Sequence, residues 1–236
     1  MGMGVDEAAR DKLIIALDVP TVDAARALVA KLGPTISFYK IGLELVFSGG
    51  LELTRELKKA GKRVFLDMKL LDIGHTVERA TASAATLGAD FLTVHGHDSK
   101  TLKAAIAGRG SAATKLLSVT VLTSLDGDDL AEQGTHMSPA ELVLKRAQLA
   151  FQCGFDGVIA SGQEAGRIRL ATGPEFLIVT PGIRVTGGAA GDQMRITTPQ
   201  DALHAGANHL VVGRPVTAAA DPKAAAETFL AAIGKN

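Results

Sequence analysis

Short apolar runs punctuate the chain at regular intervals: LIIALDV (13–19), ISFYKIG (36–42), RVFLDMK (63–69), DFLTVHG (90–96), LLSVTVLTS (116–124), DGVIAS (156–161), EFLIVTPG (175–182) and HLVVGRP (209–215). They are continuous rather than alternating, the pattern of strands covered on both faces of a parallel sheet. Between most of them lie segments with Ala, Leu, Glu, Lys and Arg at helical spacing, such as 21–33, 51–61 and 76–90. Gly33, Gly61, Gly88, Gly154 and Gly206 stand where a glycine would close a helix. Eight strand–helix units with no linker or low-complexity tract predict an α/β chain folded as one (β/α)₈ TIM barrel domain over residues 1–236. The competing architecture is an open doubly wound sheet, but no GxGxxG follows the first run.

Composition narrows the class. Aromatics are only 4% and Trp is absent, so Ala, Val, Leu and Ile must build the core. The 25 basic and 25 acidic residues balance, so no overall excess of charge points to nucleic acid or an anionic membrane. No apolar stretch approaches the roughly 20 residues of a membrane helix. The first ten residues lack the pattern of a secretory signal, and a single cysteine, Cys153, forms no internal disulfide. The expectation is a cytoplasmic protein. Cys153, beside a capping glycine on an apolar helix, reads as filler rather than as a nucleophile.

The runs share a second regularity. They end in Asp18, Lys40, Asp67 with Lys69, His95, Thr123 with Ser124, Ser161, Pro181-Gly182 and Gly213-Arg214. In α/β barrels the C-terminal strand ends form the active-site face, so these residues are expected to converge on one pocket. The densest group is Asp67-Met68-Lys69-Leu70-Leu71-Asp72. Residues 67 and 69, two apart on a strand, share a face, and Asp72 follows in the loop. Two carboxylates near one amine favour its charged form, each contact at ~4 Å contributing roughly 4 kcal/mol at an effective dielectric near 20. Such an amine suits proton donation better than Schiff-base chemistry. Asp18 and Lys40 extend the alternating charges, although Asp18 alone also reads as a cap for the helix after Pro20. A salt-bridge network of purely structural purpose is the alternative for the whole group.

Gly213 and Arg214, past the eighth run, fit the phosphate site that barrels commonly place there. The segment 180–194 is Gly-rich and reads as a lid, with Arg184 and Gln193 near its ends. His95, His97 and Asp98 could supply metal ligands, but few carboxylates join them and Lys69 opposes a cation, so no metal is expected. His75, His136, His204 and His209 form no motif.

The segments DMKLLDI (67–73) with Thr76, TPGIR (180–184), AAGDQ (189–193) and VVGRP (211–215) together resemble the orotidine 5′-phosphate decarboxylases of the bacterial type. The likeness extends from Leu13 to Pro215. It implies a cofactor-free decarboxylation of a nucleotide substrate to UMP, the last step of pyrimidine nucleotide synthesis. It also implies that Lys69 donates a proton to pyrimidine C6 and that Asp67 flanks the departing carboxylate. Asp72 and Thr76 would reach the neighbouring subunit's site in a homodimer. Asp18 and Lys40 match ribose contacts, Thr123 with Ser124 the pyrimidine edge, and Pro181, Arg184, Gln193, Gly213 and Arg214 the phosphate grip and its lid. Gly74-His75 and Val185 depart from the Pro-Asn and Pro common at those places. Rivals to this reading are a magnesium-dependent sugar-phosphate decarboxylase or aldolase of the same barrel superfamily, and a barrel that only binds a phosphorylated metabolite.

Overall fold

A computed structural model describes residues 7–185 and 195–234. Its strands are β1 (Leu13–Ala16), β2 (Phe38–Gly42), β3 (Arg63–Leu70), β4 (Phe91–His95), β5 (Lys115–Val119), β6 (Gly157–Ile159), β7 (Leu177–Thr180) and β8 (His209–Val212). All neighbours pair in parallel, and β8 returns to β1, closing the barrel in sequence order. Six strands fall inside the apolar runs, and β3 and β5 overrun theirs by one residue, at Leu70 and Lys115, so the expected (β/α)₈ barrel is the observed fold. Among the described residues, no helix is long and apolar enough to cross a membrane.

The alternation of a strand divides the apolar residues into two cores. Leu13, Ile15, Tyr39, Ile41, Val64, Leu66, Leu92 and Leu116 point outward and pack under the helices. Ile14, Ala16, Phe38, Phe65, Phe91, Leu117, Val179 and Val211 point inward and fill the barrel. Continuous apolar runs are therefore required, because both faces of every strand are covered.

Helices span 22–32, 51–59, 74–85, 99–109, 139–152, 162–172, 199–204 and 222–233. Thr21, Asp98, Ser138, Ser161, Thr198 and Asp221 cap their N-termini by accepting backbone N–H bonds. Asp18 is thus not the cap of the helix after Pro20; Thr21 is. All five glycines expected at helix ends adopt positive φ. Cys153 is half-buried at the end of helix 139–152 and packs against the outer core.

Candidate functional site

At the C-terminal end of the barrel lies a cavity of about 570 Å³. Its wall includes Asp18, Lys40, Asp67, Lys69, Thr123, Ser124, Pro181, Arg184, Gly213 and Arg214. With Gly182, eleven of the residues singled out from sequence, drawn from six strand ends and the segments after them, therefore line one space. The volume suits a small-molecule ligand. Gln193 lies outside the described residues.

Inward alternation explains the charged group. Lys40 follows Phe38 by two positions, and Asp67 follows Phe65 by two, so each stands one layer above the aromatic filling of the barrel. Lys40 Nζ lies 3.0 Å from Asp18 Oδ1 and 3.3 Å from Asp67 Oδ2. Lys69 Nζ lies 2.8 Å from the same Asp67 oxygen. Burial opposes the charge on Lys40, but Asp67 and Asp18 outweigh it and hold this amine above the ordinary lysine value. Burial likewise opposes ionisation of Asp67, and Lys40, Lys69 and the Thr93 hydroxyl together hold its carboxyl below the usual range. A Cβ on Gly42 would stand 3.1 Å from Lys40 Nζ and 3.2 Å from Asp18 Oδ1, so a side chain there would crowd the pair.

Two features of this cluster differ from expectation. The first concerns Lys69, which does not sit on a regular strand. It adopts φ 49°, the left-handed region, and the β3–β4 register shifts between Leu66 and Leu70. The second concerns Asp72, which forms no ion pair with Lys69 within the chain. It is exposed, and its carboxylate accepts the Ile73 N–H at 2.6 Å. β3 ends at Leu70 and the backbone turns outward into helix 74–85, carrying Asp72 and the exposed Thr76 away from the cavity. Gly74 opens that helix, and Ile73 offers no side-chain cap. Within one chain, the second carboxylate beside the lysine pair is Asp18.

The opposite wall gathers basic and backbone groups. Gly182 has φ 74°, which a side chain rarely tolerates, and so turns the chain after β7. Ile183 then pairs with Thr197, and Arg184 N donates to Thr197 O at 3.0 Å. Arg184 is largely buried. Gly213 precedes the short helix Arg214–Thr217. Val185 packs on the outer core. Sequence reasoning missed a further pair here: buried Arg195 donates to Glu164 at 2.7 Å and to the carbonyls of Leu122 and Val121. It ties the segment after β7 to the loop after β5 across long sequence separations, so no local pattern announces it.

The histidines take another place. The rings of His95 and His97 lie 4.8 Å apart and border a second cavity of about 540 Å³ with Thr120, Gln133 and Arg146. Burial, then His97, Lys69 and Arg146, push His95 down to about 4. Asp98 is engaged as a helix cap, accepting from the Thr101 N–H and hydroxyl. Among the described residues, no group of three His, Cys, Asp or Glu side chains is placed to hold a metal ion.

A family model described as "Orotidine 5'-phosphate decarboxylase / HUMPS family" matches residues 11–229. The chain is 54% identical over 230 residues to an orotidine 5′-phosphate decarboxylase of Rhodopseudomonas palustris (strain BisB5), covering 98% of this chain and 97% of that one. A Methylobacterium radiotolerans protein of the same name is 53% identical over 222 residues, 94% of this chain and 96% of its own. Among solved structures, orotidine 5′-phosphate decarboxylase from Lactobacillus acidophilus superposes with a TM-score of 0.83 at 38% identity, over 94% of this chain and 99% of that one. With a matching family model over nearly its full length and close relatives of one name, the chain belongs to the orotidine 5′-phosphate decarboxylase / HUMPS family.

Proposed function

We propose that this protein is a carboxy-lyase that converts orotidine 5′-phosphate to UMP and carbon dioxide in pyrimidine nucleotide synthesis, without metal or organic cofactor. The observation that carries the reading is the pairing of Lys69 with Asp67 in the same cavity as Arg184, Gly213 and Arg214. An amine held by a carboxylate serves carbanion chemistry, and the arginine–glycine wall serves a phosphate.

In this mechanism the bond between C6 and the substrate carboxylate breaks and its electron pair stays on C6. Carbon dioxide leaves, and an N–H proton of the Lys69 ammonium passes to C6; the resulting amine regains its proton from solvent. The pyrimidine ring delocalises the pair poorly, so Lys69 favours the transition state by placing positive charge where negative charge develops. Asp67 beside the substrate carboxylate raises the ground state, a smaller contribution. Lys40 and Asp18 hold the ribose, Thr123 and Ser124 meet the pyrimidine edge, and Pro181, Arg184, Gln193, Gly213 and Arg214 hold the phosphate. Binding there, remote from the bond that breaks, contributes to the chemistry through closure over the substrate.

The enzyme acts in the cytoplasm, as one domain over residues 1–236, and as a homodimer in which Asp72 and Thr76 complete the neighbouring site. Leu71 and Ile73, flanking Asp72, are 50% and 73% exposed, apolar surface that suits burial by a second copy. The test is a spectrophotometric assay with orotidine 5′-phosphate in EDTA. Undiminished turnover is expected; turnover abolished by the chelator, or seen only with a keto-sugar phosphate, would replace this reading with that of a metal-dependent barrel enzyme. Ligand-induced thermal stabilisation without product would leave a binding protein.

A further inference from the structure

Thr93 is fully buried in the middle of β4, two positions after the inward-facing Phe91. Beside it the β3–β4 ladder is irregular. Phe65 pairs with Phe91 and Leu66 with Leu92, but the next pair is Leu70 with Val94. Three residues of β3, Asp67, Met68 and Lys69, therefore face the single residue Thr93. Such a bulge displaces backbone groups from the ladder and re-aims the side chains it carries. Here the Lys69 N–H donates to Thr93 Oγ1 at 2.9 Å, and the Thr93 hydroxyl donates to Asp67 Oδ1, also at 2.9 Å.

One side chain thus holds both halves of the pair. It supplies the acceptor for the amide of a residue at φ 49°, a conformation that surrounding structure must impose on a non-glycine residue. It also fixes one oxygen of Asp67, leaving the other to face Lys69 Nζ at 2.8 Å and Lys40 Nζ at 3.3 Å. A hydroxyl suits the place because it donates and accepts at once; valine, of similar shape, does neither.

We propose that Thr93 is a positioning residue for the decarboxylation: its hydroxyl locks the bulge that aims the Lys69 amine and orients the Asp67 carboxylate against it. Thr93 has no exposed surface and acts only through these two residues. The inference rests on the decarboxylase reading for its kinetic consequence and on the hydrogen bonds for its geometry.

The test compares Thr93→Val with Thr93→Ser. In Thr93→Val, kcat for orotidine 5′-phosphate falls about 10- to 100-fold while KM and UMP affinity stay close to wild type. Thr93→Ser, which keeps the hydroxyl, recovers kcat to within about threefold of wild type. A role in stability alone would lower the melting temperature and leave kcat of the folded enzyme unchanged. Should Thr93→Val fail to fold, Thr93→Ala, which leaves space instead of a misplaced methyl, shows the same loss of kcat. A Thr93→Val enzyme within about threefold of wild type, or a Thr93→Ser enzyme as slow as Thr93→Val, overturns the proposal. A crystal structure of Thr93→Val judges the geometry apart from turnover: Lys69 leaves positive φ and its contact with Asp67 lengthens beyond about 3.5 Å. Persistence of both overturns the proposal. If the wild type does not decarboxylate the nucleotide, the functional reading falls, and this crystallographic arm decides on Thr93 by itself.

Discussion

The two ends of one barrel use the same inward positions in opposite ways. At the floor, where the strands begin, Phe38 and Phe91 lie edge to face with centroids 5.1 Å apart, and Phe65 meets Phe91 at 5.9 Å. The Arg63 guanidinium stacks 4.1 Å from the Phe38 ring, and His209 meets both Phe38 and Phe91 edge-on. The Arg63 cation here rests on an aromatic face, and its worth is cohesion. From two residues beyond Phe65 on β3, the inward positions carry charges that converge on a cavity. Moving one layer up the barrel thus exchanges apolar filling, which stabilises the fold, for charge that lines the cavity.

The comparison is open to direct attack. The largest effect is expected at the mouth: Lys69→Ala lowers turnover by about 10³-fold or more, while UMP binding and the melting temperature stay near wild type. Appreciable residual decarboxylation would remove the lysine from its central role. At the floor the outcome is reversed. Phe91→Ala destabilises the fold by about 3–5 kcal/mol through the cavity it leaves, measured by denaturant unfolding, with kcat of the folded fraction unchanged.

An intermediate case sharpens the contrast, because charge at the mouth is not always functional. Arg195→Met strands the buried Glu164 carboxylate and the carbonyls of Leu122 and Val121. It costs about 3 kcal/mol in unfolding free energy, and the double variant with Glu164→Met recovers part of that loss. The smallest effect is a pH dependence. Burial, then Arg63, push His209 down to about 4, so the folded state holds it neutral while the unfolded chain protonates near 6.5. Its contribution is fully present above the unfolded value, and thermal stability falls as pH drops from about 6.5 to about 4. His209→Gln, which keeps an uncharged donor for the Asp11 carbonyl, flattens that limb in melting curves.

Much of this was legible in the residues. The eight strands match the eight apolar runs to within one residue because burial on both faces leaves little choice of composition. Most residues expected to surround a ligand do line one cavity, because parallel closure brings every C-terminal strand end to the same side. Thr93 was not legible, since a threonine inside an apolar strand reads as ordinary strand propensity. The left-handed Lys69 was hidden for a related reason: nothing in DMKLL distinguishes a bulge from regular alternation. That Asp72 would not reach the Lys69 of its own chain was hidden because the two are close in sequence, whereas the strand ends between them.

The order of apolar and polar residues by itself determined the number of strands, their parallel packing and the side of the barrel on which charge would gather, since these follow from local periodicity and from burial. Only the tertiary structure decided which charges touch. Closing the barrel set Lys40 between Asp18 and Asp67, brought the Thr93 hydroxyl under the bulge of β3, and paired Arg195 with Glu164. Hydrogen bonds and ion pairs act over about 3 Å, and partners from different strands reach that range only when register and closure are both established.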